Sequence, residues 1–193
     1  VNNISKLVMV NDIVISYLKS DSDSPTYSNS ARSEIYNMLN SFSGHYSIFV
    51  FKNDKNYTNT GIGIINANKK VIYDRGWFDL VNCHEGGYAL IPNTNGAFIS
   101  NTDAEIISFA RIINDIDTQK PLGMLVINIP ISELEQTYMN LVNKDNHFAY
   151  LDNLGNVLCS DTQFGEIDDI EIKNGKTEMI QTSYEGIDRK SVV

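Results

Sequence analysis

EIISFARIINDIDTQKPLGMLVINIP, residues 105–130, decides the architecture. Two runs rich in β-branched residues, 105–115 and 121–130, flank the polar turn IDTQK, and together they predict a long antiparallel hairpin. Alternation sets Ile107, Phe109, Arg111 and Ile113 on one face of the first strand and Ile106, Ser108, Ala110 and Ile112 on the other. In the second strand Asn128 shares a face with Leu122, Met124 and Val126. Arg111 therefore stands in an apolar row, where desolvating a guanidinium costs several kcal/mol unless carboxylates, carbonyls or a ligand anion meet its donors.

Further strands are expected on either side. Upstream come YSIFVF (46–51), one or two strands within YTNTGIGIINANKKVIY (57–73), and the short runs YALI (88–91) and AFIS (97–100). GIGIIN lacks a third glycine and leads into no helix, so it reads as strand edge rather than phosphate loop. The first 24 residues carry Ile4, Leu7, Val8, Val14, Ile15 and Leu18 at helical spacing and predict one long amphipathic helix. A second helix follows over 28–44, with Ser28 or Ser30 as N-cap, Ile35, Met38, Leu39 and Phe42 inward, and Gly44 as the stop.

Downstream, ISELEQTYMNLVN (131–143) is helical, HFAYLDNLGNVLCSD (147–161) is a second hairpin, and 176–193 is strand, turn and strand. These last strands have no covering helix, so they read as a unit that is incomplete or leans on the N-terminal helix. The expected divisions are 1–24, 25–142 and 143–193. Because the chain opens in mid-pattern and closes on a strand, a piece of something longer is expected.

Composition narrows the function. A net charge of −9 argues against nucleic acid or anionic lipid as a partner. Apolar residues at 42% and charged residues at 20% describe a globular chain, and no apolar run is long enough to span a bilayer. Two cysteines without CxxC spacing and three histidines in unrelated contexts predict no metal site, no cofactor and no nucleophile paired with a base. Cys83, beside His84 and Glu85, reads as an ordinary thiol; a disulfide to Cys159 is the alternative.

Residues 71–90, VIYDRGWFDLVNCHEGGYAL, hold the single tryptophan and show no clean period, which predicts a loop between strands. Arg75, Trp77, Phe78 and Tyr88 there, with Arg111 and Asn128 of the hairpin, form the candidate ligand-binding set. Two readings stand: a small-molecule pocket lined by these residues, or a folded-over core loop in which Arg111 pairs with Asp74, Asp79 or Asp103, Asn128 satisfies backbone and Trp77 is core.

This order of elements resembles the double Cache (dCache) extracytoplasmic sensor domain, most closely those of YesM-like bacterial sensor histidine kinases. LGMLVINIPISELEQ (122–136) resembles the family's last strand and exit helix, and YLDNLGNVLCSD (150–161) the first hairpin of its membrane-proximal module. The resemblance implies an α/β (α+β) fold of two PAS-like antiparallel-sheet modules on a long N-terminal helix, the second incomplete, with ligand in the membrane-distal module. RGWF, residues 75–78, is similar to the family's Arg-x-Trp-Tyr/Phe motif, which implies Arg75 as carboxylate donor and Trp77 as a pocket wall. Where amino-acid-binding members carry an aspartate this chain has Asn128, which cannot neutralise an ammonium.

The implied protein is a non-enzymatic extracytoplasmic module of a membrane-anchored receptor. It binds a sugar, organic acid, amino acid or short peptide, and dimerises through the first helix, where Asn11 would set register. The alternatives are a module that answers to a protein partner, and the sensor of a chemoreceptor or diguanylate cyclase.

Overall fold

The computed structural model describes residues 1–21, 24–42, 44, 46–84, 87–92, 96–100, 105–138, 149–151, 157–160, 179–184 and 187–192. The chain divides into two compact units, Val1–Pro130 and Ile131–Val193.

The first unit is built on the predicted hairpin. Strands β6 (Ile106–Asn114) and β7 (Pro121–Pro130) pair antiparallel, with Ser108 opposite Asn128 and Ala110 opposite Val126. β1 (Ser47–Lys52) pairs with the other edge of β7, β2 (Tyr57–Gly61) pairs with β1, and β4 (Ala89–Pro92) pairs with β6. The result is a five-stranded antiparallel sheet in the order β2-β1-β7-β6-β4. β3 (Ile64–Ala67) and β5 (Phe98–Ser100) form a separate ribbon.

Helices cover one face of the sheet. The expectation of a single N-terminal helix is corrected: α1 (Asn2–Met9) and α2 (Asp12–Lys19) are separate. Asn11 causes the break, because its side chain accepts hydrogen bonds from the N–H groups of Ile13 and Val14 and so caps a new helix. Its amide also donates to Glu34 at 3.3 Å, in α3 (Pro25–Leu39). Asn11 is thus an N-cap within the fold. α3 begins earlier than expected, with Pro25 at its first turn, where a missing N–H costs nothing.

Ile4, Val8, Val14, Leu18, Ala31 and Ile35 are buried in these three helices. α1 and α2 lie against the hairpin strands and α3 against β2. The register gives this face of the sheet Ile48, Val50, Leu125, Ile127, Ile107 and Ile113, all buried. Gly123 allows the close approach: a Cβ there would meet the Phe51 carbonyl oxygen and, at 2.8 Å, Leu18 Cδ2.

The opposite face carries the aromatic core. The strands supply Phe49, Phe51, Ala110, Ile112, Met124 and Val126, and Trp77 and Phe98 pack among them. Phe98 lies 4.9 Å from Phe49 and 5.8 Å from Trp77, centroid to centroid, in tilted and edge-on contacts. Truncating an aromatic in such a core costs about 3–5 kcal/mol.

The predicted loop at 71–90 is corrected as well. It holds two short helices, α4 (Lys69–Asp74) and α5 (Trp77–Asn82). Asn68 caps α4 by accepting from Val71 N–H, and Gly76, at φ +65°, makes the left-handed joint between the helices. Six-residue helices are too short to display a period, which is why the stretch read as irregular.

In the second unit, α6 (Ile131–Tyr138) follows β7 directly. β8 (Ala149–Leu151) pairs antiparallel with β9 (Val157–Ser160), and β10 (Met179–Tyr184) with β11 (Ile187–Val192), as the two predicted hairpins require. The rest of the predicted 131–143 helix and the DNLGN turn lie outside the described residues.

Candidate ligand site

The six candidate residues divide between the two faces of the sheet. Asn128 pairs with both Ser47 and Ser108, so all three side chains project from the aromatic face. Ser108 Oγ donates to Asn128 Oδ1 at 2.7 Å, and Asn128 Nδ2 donates to Ser47 Oγ at 3.3 Å. All three residues are at most 1% exposed. Among the described residues no further bond is formed by the second amide proton of Asn128 or the Ser47 hydroxyl proton, so the row offers donors and no charge.

Trp77 belongs to the same face. It opens α5 and is buried at 4% exposure against Phe98. Phe78, partly buried, stacks on Tyr73 at 5.5 Å. Arg75 closes α4 and is exposed. The glycine joint sends Arg75 to solvent and Trp77 to the core although only one residue separates them.

Arg111 and Tyr88 lie on the helix-covered face. Arg111 pairs with Leu125 in the row of Ile107, Phe109 and Ile113; it is half-buried and already engaged by other groups. Tyr88, 45% exposed, stacks on Phe109 of that row at 4.5 Å. The sheet therefore stands between Arg111 and Asn128, which do not line one cavity. Trp77 and Asn128 share a face; Arg75 and Phe78 stand on the short helices that cover it.

Ser47 and Ser108 escaped the sequence reading, although alternation already placed Ser108 in an inward row. Pairing β1 and β6 with β7 was needed to bring both onto Asn128. Cys83 carries a free, exposed thiol, and His84 Nδ1 lies 2.9 Å from the Leu80 carbonyl oxygen at the end of α5. Among the described residues no group of three or more His, Cys, Asp or Glu side chains could hold a metal ion, and no helix is long and apolar enough to cross a membrane.

By sequence, no family model and no curated protein matches the chain. By structure, it resembles sensor domains of bacterial chemoreceptors. The sensory domain of Campylobacter jejuni Tlp3 (CcmL) with isoleucine bound superposes with a TM-score of 0.56 at 11% identity, covering 82% of this chain and 59% of that one. The same receptor's ligand-binding domain with 4-methylisoleucine gives 0.54 at 10% identity, covering 89% and 64%. The ligand-binding domain of the Pseudomonas aeruginosa PAO1 amino acid chemoreceptor PctB with L-Arg gives 0.52 at 15% identity, covering 81% and 62%. This chain spans about three-fifths of the length of those domains. The mixture of helices and antiparallel sheet is accordingly the fold of Cache-type, PAS-like sensor domains.

Proposed function

We propose that this chain is the extracytoplasmic sensor region of a bacterial membrane receptor, binding a small solute over the aromatic face of the five-stranded sheet. The observation that carries the reading is the superposition, over 82% of the chain, on a chemoreceptor domain with isoleucine bound. Arg75, Trp77, Phe78 and Asn128 lie on or over that face and are the assigned contacts; Tyr88 and Arg111 lie on the other face and are left out of the set. Asn128, Ser47 and Ser108 offer neutral donors, which favour a carboxylate, carbonyl or hydroxyl group of the solute over its ammonium.

The parent is assigned as a two-component sensor histidine kinase, on the likeness of residues 122–136 and 150–161 to that class. Residues 25–142 form the distal module and 143–193 the proximal one, after an N-terminal region at 1–24, and dimerisation runs through α1 and α2. The region itself is a binding module and not a catalyst. A solute drives signalling only to the extent that it prefers one conformation over the other. A second reading, a module answering to a protein partner, rests on how fully Phe49, Phe51, Trp77 and Phe98 pack the same face.

The test is a thermal-shift screen against amino acids, organic acids, sugars and short peptides. At 100-fold above Kd a ligand stabilises by about 2.7 kcal/mol. A hit weakened by Arg75→Ala supports the site; a hit indifferent to that change moves it; silence across the panel with folded protein favours the protein partner.

A further inference from the structure

The Asn128 amide has a donor end and an acceptor end, and its two serine neighbours hold it in one orientation. Ser108 Oγ lies 2.7 Å from Asn128 Oδ1, the ordinary length of an O–H···O bond. Asn128 Nδ2 lies 3.3 Å from Ser47 Oγ, too long for such a bond but within reach of an N–H donor. The amide oxygen therefore faces Ser108 on β6, and the amide nitrogen faces Ser47 on β1. One N–H of Asn128 and the Ser47 O–H are left without an acceptor among the described residues, in side chains at most 1% exposed. Buried donors are rarely left so unless water or a ligand supplies the acceptor.

The surroundings of the row supply no counter-charge for a cation. The five strands of the sheet contain no Asp or Glu. Nor does the β3–β5 ribbon. Of the short helices over this face, α4 holds Asp74 and α5 holds Asp79, and both are exposed. An ammonium brought to the row would lose its water and meet donors, a cost that an oxygen acceptor does not bear. Arg75, assigned to the same site, attracts a carboxylate and repels an ammonium.

On the reading that a solute binds over the aromatic face, we propose that it is an α-keto or α-hydroxy acid, with an oxygen where an amino acid carries its ammonium, and that Ser108 sets this preference by keeping the acceptor end of the Asn128 amide engaged. Ser108 is a positioning residue: it acts through Asn128 and needs no contact with the solute. A site built on buried donors rejects an analogue that cannot accept from them far more strongly than an apolar pocket rejects one by size.

The test is calorimetric titration of the whole chain with matched solutes at neutral pH and constant ionic strength: pyruvate and L-lactate against L-alanine, α-ketoisocaproate against L-leucine, and α-ketoglutarate against L-glutamate. Wherever a set binds, the keto or hydroxy acid should bind about tenfold or more tightly than its amino acid, the worth of a hydrogen bond to a charged group. Ser108→Ala frees Asn128 Oδ1 to accept from an ammonium and should bring that ratio to within about threefold, whereas a merely structural change would weaken both members alike. Ser108→Cys, close in shape and a weak donor, takes its place if the alanine variant does not fold. An amino acid bound as tightly as its counterpart, or an unchanged ratio in a folded Ser108 variant, overturns the proposal and leaves solute binding at this face standing. Failure of every set overturns it too; a sugar or peptide hit in the thermal-shift screen then keeps solute binding, and silence there removes both.

Discussion

Asn128→Ala tests whether the polar row across β1, β7 and β6 is a coupled hydrogen-bond network. The substitution removes two side-chain hydrogen bonds, at 2.7 Å from Ser108 and 3.3 Å to Ser47, from a site 1% exposed. Each bond contributes about 1 kcal/mol net, and stranding a buried hydroxyl adds about 1 kcal/mol or more, so the expected loss is about 3 kcal/mol. Against a whole-domain stability of about 5–15 kcal/mol this is large without being fatal. With a urea dependence of about 2 kcal/mol per M, the midpoint should fall by about 1.5 M. Trp77 is the only tryptophan and is buried in the first unit, so its fluorescence follows the unfolding of that unit. The companion variant Ser108→Ala should cost about 1 kcal/mol less in the Asn128→Ala background than in the wild type, because its partner is already gone. A midpoint shift under about 0.5 M, or strict additivity of the two changes, would refute the network.

Asn11→Ala should destabilise the first unit by about 1 kcal/mol, the worth of an N-cap, since the Ile13 and Val14 N–H groups lose their acceptor; an unchanged urea midpoint would show that the α1–α2 break does not depend on it. Asp115 Oδ2 meets Lys19 Nζ at 2.6 Å, and that hydrogen bond, followed by the Thr118 N–H, pushes its carboxyl down from 3.8 to about 2. A depressed folded value means stability that is complete above the unfolded value and lost as pH falls from about 4 towards 2. Asp115→Asn should therefore flatten the acid limb in that window while leaving its shape near neutrality; urea midpoints at pH 2, 3, 4 and 6 measure this.

How legible the molecule was depends on the length of each signal. The 105–130 hairpin carries nine- and ten-residue strands, enough repeats of a two-residue period to fix pairing and faces from the sequence. α4 and α5 could not be found this way, because six residues make fewer than two turns and the aromatic content of 71–90 imitates a strand or loop. The N-terminal helix was read as continuous because the apolar spacing runs through Asn11 almost unbroken, while the capping hydrogen bonds that divide it are a local side-chain choice.

The sequence by itself determined the elements whose signal is periodic and local: the central hairpin, the flanking strands and the helical character of the N-terminus. Only the tertiary structure decided which residues meet. Strand alternation gives each side chain a face within its own strand, but the two sets of faces are tied together only by inter-strand register. That register put Asn128 with Ser47 and Ser108 and left Arg111 across the sheet from them.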